Sequence, residues 1–216
     1  QKKMKYEDLK VFRDRFRVPI SDEEVEKMEY YKPPDDSAEI KYLKNCRKAL
    51  GGFLPSRRLK GDPLKIPSLI HYERLLKETG DREISTTQAL VQAITIMCKD
   101  KNIGERVVPI VPDEARTFGM EGMFRQIGIY AHEGQKYEPV DREQLLYYKE
   151  NQSGQLLQEG ITEDGAMSSW IAASTSYTNS GMQTIPFYLF YSMFGFQRIG
   201  DLVWAAADMQ ARGFLI

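Results

Sequence analysis

The stretch QLLQEGITEDGAMSSW, residues 155–170, joins an apolar strand to a helix rich in small residues. The strand pattern stops at Gly160, and the following turn presents one carboxylate, Glu163, immediately before the helix. In open α/β sheets, ligands bind outside the carboxyl ends of the strands. Glu163 is therefore the first candidate for a functional side chain.

Two further strands are predicted on either side of this stretch. Residues 106–111 and 183–190 are apolar runs of strand length, and helical patterns start at Ser85, near Met120 and after Tyr191. Helices that alternate with strands are typical of a parallel sheet with flanking helices. We therefore predict an α/β domain over residues 81–216. Because the chain stops within the apolar run 213–216, we expect this domain to be truncated at its C-terminal end.

Residues 1–80 have a different character, since they are charged, helical in pattern and interrupted by prolines. Ser21 and Glu24 have the spacing of a capping box, which predicts a short helix. Ser37 follows a proline-rich linker and is a plausible cap for a third helix. This segment is predicted to be a mainly helical connecting arm.

The bulk composition excludes several classes of protein. The chain has 216 residues, 42% hydrophobic content and a formal net charge of -1. Such a charge argues against a nucleic-acid partner or an anionic membrane surface. Apolar runs stay well below the roughly 20 residues that a membrane span needs. Cys46 and Cys98 form no paired motif, which fits free thiols in the cytoplasm.

Candidate site residues follow all three predicted strands. Asp113 and Glu114 follow the first, Glu163 the second, and Tyr191 and Phe194 the third. Because the carboxyl ends of parallel strands share one edge of a sheet, these side chains are expected to converge. Two other hypotheses stay open: a non-catalytic dimerisation or assembly module anchored by the two aromatic residues, and a glycosidase-like pair of Glu114 and Glu163.

No metal site is predicted within the chain. Its two histidines, His71 and His132, have no metal-ligand spacing to cysteine, histidine or acidic neighbours. Phosphate-binding loops, dinucleotide fingerprints and nucleophile elbows are also absent from the sequence.

Three long strings carry a family resemblance. VPIVPDEARTFGMEGMFRQIGIY (108–130), YYKENQSGQLLQEGITEDGA (147–166) and IPFYLFYSMFGFQRIGDLVWAA (185–206) together resemble the homodimeric pyruvate dehydrogenases, the acetyl-transferring first components of bacterial pyruvate dehydrogenase complexes. Transketolases and branched-chain dehydrogenases share the Gly-Ile-x-Glu turn but not these strings. The resemblance is therefore specific to this family.

The resemblance implies the thiamine diphosphate-binding fold, with residues 81–216 as its pyrimidine-binding domain. It also implies oxidative decarboxylation of pyruvate and acetyl transfer to the lipoyl group of dihydrolipoyl acetyltransferase, with thiamine diphosphate and magnesium as cofactors. The family's GDG motif, which binds the diphosphate and the metal, has no match in this sequence. We therefore expect a piece of a longer enzyme that is inactive by itself.

The resemblance also implies a role for each candidate residue. Glu163 would hydrogen-bond the aminopyrimidine nitrogen, Phe194 would stack beneath that ring, and Tyr191 would be the site tyrosine. Asp113 and Glu114 would line the substrate side. Two carboxylates would repel pyruvate unless at least one is protonated, which burial can arrange.

Overall fold

A computed structural model describes residues 3–54 and 58–216, and the chain divides into two compact units, 1–56 and 57–216. The first unit contains α1 (Tyr6–Phe16), α2 (Asp22–Glu26) and α3 (Ala38–Ala49). Both predicted caps are confirmed. The Ser21 hydroxyl accepts a hydrogen bond from the Glu24 amide, and Ser37 caps α3 in the same way. These caps satisfy backbone N–H groups that have no partner within the helix.

The second unit is an α/β domain, as predicted. Its elements in chain order are α4 (Glu73–Leu76), α5 (Thr86–Cys98), β1 (Val107–Val111), α6 (Glu121–Gln126), β2 (Ile129–Tyr130), β3 (Glu150–Asn151), β4 (Leu157–Gln158), α7 (Glu163–Ser174), α8 (Ser176–Ser180), β5 (Ile185–Tyr188), α9 (Ser192–Asp208) and β6 (Phe214–Leu215). Ser85, where a helical pattern was predicted to start, caps α5 through a capping box with Gln88. The three predicted strands correspond to β1, β4 and β5.

The main sheet has the strand order β4-β1-β5-β6, and all its strands are parallel. The central strand β1 pairs Ile110 with Leu157 on one side and Val107 with Ile185 on the other. It is buried because helices cover both faces of the sheet. A second parallel pair, β2 with β3, was not predicted.

Alternate residues of β1 pack into two separate cores. Val111 faces the core that α5 and α6 complete, whereas Ile110 faces the core that α7 and α9 complete. The chain therefore leaves β1 towards one face of the sheet and leaves β4 towards the other. Adjacent strands with such opposite connections open a crevice between their carboxyl ends. That crevice lies between β1 and β4.

The compact units divide the chain at residue 56, whereas the sequence pattern changes at residue 80. Residues 58–80 belong to the second unit, where the 3-10 turn Leu69–Tyr72 packs next to α5. The predicted arm also includes residues 1–2 and 55–57, which lie outside the described residues. The division into an arm (1–80) and a domain (81–216) stays a prediction. Within the described ranges, no helix combines the length and the apolar character needed to cross a membrane.

Candidate functional site

The segments after β1 and β4 stay hydrogen-bonded to each other beyond the ends of the strands. The amide of Glu159 donates to the carbonyl of Val111 at 3.0 Å, and the amide of Thr162 donates to the carbonyl of Pro112 at 3.1 Å. Between them, Gly160 has φ +76°, a left-handed conformation that favours glycine. The turn that carries Glu163 is thereby fixed beside the segment that carries Asp113.

Glu163 is the first residue of α7, whereas the sequence pattern placed it just ahead of a helix that starts at Ala166. Thr162 is the N-cap, and its hydroxyl accepts a hydrogen bond from the Gly165 amide at 3.2 Å. The Tyr188 hydroxyl of β5 donates to the carbonyl oxygen of Glu163 at 3.3 Å. The Glu163 side chain is only 12% exposed. The carboxylate is therefore held at the crevice by two elements of the fold.

Arg198, on the second turn of α9, pairs with this carboxylate. Its Nη1 donates to Glu163 Oε1 at 2.6 Å. This hydrogen bond is the main reason that the pKa of Glu163 lies below its ordinary value, although burial acts in the opposite direction. Glu163 is consequently an ionised acceptor at neutral pH. The sequence reasoning did not single out Arg198.

The aromatic candidates lie at the start of α9, on the same edge of the sheet. The Phe194 ring is 42% exposed, and the guanidinium carbon of Arg198 lies 4.8 Å from its centroid. Tyr191 stacks on Phe118 with 5.0 Å between ring centroids. Neither aromatic residue is buried in the core, and each presents part of its ring to solvent.

Gly195 determines how closely this part of α9 approaches the sheet. A Cβ atom at this position would lie 1.9 Å from the Phe190 ring, which is far inside van der Waals contact. The Phe190 ring in turn contacts Tyr188 and Phe196, with centroids 5.1 and 5.3 Å away. The absence of a side chain at Gly195 therefore sets the position of its neighbour Phe194.

Asp113 and Glu114 lie on the turn after β1, where the sequence places them. Glu114 starts the 3-10 turn Ala115–Phe118, and its side chain is 49% exposed. Half of the Glu114 side chain is therefore in contact with solvent. Arg116 supplies a compensating charge, with its Nε 3.3 Å from Glu114 Oε1.

A long loop, residues 131–149, is fastened to this same turn. Arg116 pairs with Asp141 of the loop, and Asp141 also accepts from the Tyr148 amide at 3.1 Å. Gln158 of β4 accepts from the Ala115 amide at 3.0 Å and donates to the Tyr148 hydroxyl at 3.1 Å. The side chains of β4 and of the loop therefore hold the turn that carries Asp113 and Glu114 in place.

Only one of these partners had a signal in the sequence. Arg198 stands four residues after Phe194 on a predicted helix, so the two side chains share a face of that helix. Arg116 and Asp141 are 25 residues apart, and their pairing depends on a loop whose course has no periodic pattern. The sequence could therefore have indicated Arg198, but not the pairing of Arg116 with Asp141.

The described residues fit one end of thiamine diphosphate better than the other. An ionised carboxylate beside an exposed aromatic ring can hold a flat, basic heteroaromatic ring through a hydrogen bond and stacking. Within residues 3–54 and 58–216, no group of three histidine, cysteine or acidic side chains is arranged to hold a metal ion. The arrangement of Glu163 and Phe194 thus suits the pyrimidine end of the cofactor.

The glycosidase alternative receives little support from this geometry. A glycosidase acid needs a raised pKa so that it carries a proton at neutral pH. The pKa of Glu163 is lowered by Arg198, and Glu114 is paired with Arg116. Neither carboxylate has the apolar environment that a proton donor requires.

Comparisons with known proteins agree with the resemblance. Residues 65–216 match the family described as "Pyruvate dehydrogenase E1 component middle domain". Proteins named "Pyruvate dehydrogenase E1 component" are 57% identical in Cupriavidus necator, 58% in Pseudomonas aeruginosa and 56% in Escherichia coli strain K12, in each case over 100% of this chain. The chain spans 24% of the length of these curated relatives.

Proposed function

Because the chain belongs to the pyruvate dehydrogenase E1 component middle-domain family, we propose that it is the pyrimidine-binding part of a thiamine diphosphate-dependent pyruvate dehydrogenase. The whole enzyme would decarboxylate pyruvate oxidatively and transfer the acetyl group to the lipoyl group of dihydrolipoyl acetyltransferase. The observation that carries the proposal is the ionised carboxylate of Glu163 at the crevice between β1 and β4. By itself, the chain is inactive under this proposal.

Glu163 and Phe194 bind the pyrimidine ring. The carboxylate accepts a hydrogen bond from a protonated ring nitrogen, and its lowered pKa keeps it charged for that task. Phe194 offers a partly exposed face for stacking, and Tyr191 borders the same edge. When bound, thiamine diphosphate supplies the group that stabilises the carbanion left by decarboxylation. The residues of this chain orient the ring and hold its proton.

Asp113 and Glu114 line the substrate side in this proposal. Their charges would repel the carboxylate of pyruvate, and Arg116 reduces that repulsion because it lies beside Glu114. The loop 131–149 keeps Arg116 in this position through Asp141. The binding of pyruvate at this side would therefore depend on the charges of Asp113, Glu114 and Arg116.

The remaining assignments describe the whole enzyme. We assign residues 1–80 to a connecting arm and residues 81–216 to the pyrimidine-binding domain. Magnesium and the diphosphate would be held by another part of a full-length protein, meaning one that contains this chain and has the length of the relatives. That protein would be a cytoplasmic homodimer. Its partner would be the lipoyl domain of the acetyltransferase.

An assembly role is the second candidate, and α9 favours it. Met193, Phe196 and Trp204 are exposed on this helix, and Trp204 reaches 77%. Large apolar side chains that share a surface often mark an interface. The two functions are compatible, because a dimer surface next to the site could place residues of a second subunit near Phe194.

Pyruvate turnover by the full-length protein tests the proposal. With thiamine diphosphate and magnesium, pyruvate should reduce an artificial electron acceptor, and omission of thiamine diphosphate should abolish this reduction. The matched control is the same protein with 2-oxoisovalerate, a branched substrate that should react poorly. A folded, dimeric protein that shows no pyruvate-dependent reduction would refute the catalytic proposal and leave the assembly role.

A further inference from the structure

One side chain, Arg198, contacts both residues that are assigned to the pyrimidine ring. Its Nη1 donates to Glu163 Oε1 at 2.6 Å, and its guanidinium carbon lies 4.8 Å from the centroid of the Phe194 ring. The three residues come from two helices, α7 and α9, that pack against each other. The guanidinium therefore fills the space between the carboxylate and the aromatic face.

A guanidinium and a protonated aminopyrimidine share the properties that this space selects. Both are flat and cationic, and both direct N–H groups outward in their own plane. Both can place a face on an aromatic ring while an N–H donates to a carboxylate. Two such groups cannot both use Glu163 Oε1 and the same face of Phe194. Arg198 and the cofactor ring are therefore competitors for these contacts.

We propose that Arg198 is an internal substitute for the pyrimidine ring, which occupies Glu163 and Phe194 until the cofactor displaces it. The inference rests on the proposed function, because it needs Glu163 and Phe194 to be the pyrimidine-binding residues. Arg198 is then a positioning residue that weakens cofactor binding by a fixed factor. In return, it keeps the carboxylate ionised and correctly oriented before the cofactor arrives.

The surroundings of Arg198 allow this displacement. Its side chain is 48% exposed, so the guanidinium can move into solvent without becoming buried and unpaired. The backbone of Glu163 stays fixed without it, because Thr162 caps α7 and the Tyr188 hydroxyl donates to the Glu163 backbone carbonyl. Among the described residues, Asp164 in the same first turn of α7 also acts electrostatically on Arg198. The lowered pKa of Glu163 is consistent with a site that is charged before the ligand arrives.

Calorimetry on the full-length protein tests the competition. The protein is freed of cofactor by dialysis against a chelator and is then titrated with thiamine diphosphate at fixed magnesium. Arg198→Met removes the charge and the hydrogen bond but keeps an apolar stem. Because a half-exposed ion pair is worth at most about 1 kcal/mol, the variant should bind the cofactor about three- to fivefold more tightly than the wild type.

Two further variants make the result specific. Arg198→Gln should give the same gain, which protects the test against a folding defect in Arg198→Met. Arg15→Met is the matched control, because Arg15 likewise lies over a phenylalanine ring, 5.7 Å from the centroid of Phe16 in the first unit. This control should bind as the wild type does. Thermal unfolding of each variant verifies that it is folded.

The Glu163→Gln background separates this inference from the proposed function. If Arg198 competes for the carboxylate, the gain from Arg198→Met should fall below about twofold in that background. An unchanged or weaker affinity of Arg198→Met and Arg198→Gln would overturn the inference, and so would a full gain in the Glu163→Gln background. Failure of the proposed function would appear differently, as wild-type cofactor binding and turnover in Glu163→Gln alone.

Discussion

Replacing Glu163 by Gln in the full-length protein should slow cofactor activation strongly while leaving the fold intact. Glutamine keeps the size of the side chain but loses the charge that holds a proton on the ring nitrogen. A hydrogen bond to a charged group contributes about 1.5–3 kcal/mol, which corresponds to about one to two decades in rate. The loss should be at least this large because the Glu163 side chain is only 12% exposed. The free energy of unfolding should change by less than about 1 kcal/mol, because Arg198 is half exposed.

Proton exchange at the reactive carbon of bound thiamine diphosphate measures this effect directly. The matched control is Asp164→Asn, which changes the neighbouring acid in the same turn of α7. Asp164 is exposed, so its variant should exchange at nearly the wild-type rate. If Glu163→Gln, with cofactor bound, exchanges as fast as the control, Glu163 does not act on the ring and the reasoning fails.

Three other outcomes are expected. On α9, Gly195→Ala should lower the free energy of unfolding of this chain by about 1–3 kcal/mol in urea, because the new methyl group meets a ring at 1.9 Å. Gly200→Ala is the control, because a Cβ atom there has no neighbour within 4 Å, and it should raise the free energy of unfolding by up to about 1 kcal/mol. Equal effects of the two substitutions would contradict the close packing of Gly195 against Phe190. Phe194→Ala in the full-length protein should weaken cofactor binding by about 1–3 kcal/mol, by analogy with bases that stack on aromatic side chains. If this variant loses folding stability but binds the cofactor normally, Phe194 is a packing residue. The ion pair of Glu163 is lost as the pH falls from above 4.5 through the lowered pKa of this residue. Between about pH 7 and about pH 3, the wild type should therefore lose more unfolding free energy than Arg198→Met. Parallel curves of unfolding free energy against pH would count against the pair.

Local chemistry explains why much of the fold could be predicted from the sequence. The cap residues Ser21, Ser37 and Ser85 act on amides within three positions, so their effect is visible in a short window. Strands β1 and β5 are apolar throughout because helices cover both faces of the sheet. Parallel strands then place their carboxyl ends on one edge, so the turn that carries Glu163 could be expected beside the segment that carries Asp113.

The features that escaped prediction depend on contacts between distant residues. Strands β2 and β3 have two residues each, too short for any periodic pattern, and they are separated by the loop 131–149. Within that loop, the backbone amide of Tyr148 bonds the Asp141 side chain rather than a neighbouring strand. The pair of Glu163 with Arg198 spans 35 residues and two helices. The sequence places Arg198 on the same helix face as Phe194 but does not show that it reaches Glu163.

The central position of β1 has a consequence for the synthesis of the chain. Its partners in the sheet are made much later, since Ile110 pairs with residue 157 and Val107 pairs with residue 185. At about 5–20 residues per second, a ribosome needs roughly 4–15 s to reach the second partner after completing β1. Between its own emergence from the exit tunnel and that of β5, this apolar strand has free edges and can bind other nascent chains or a chaperone. A synonymous codon change that slows translation between residues 111 and 185 should therefore increase aggregation of the newly made protein without altering any residue of it.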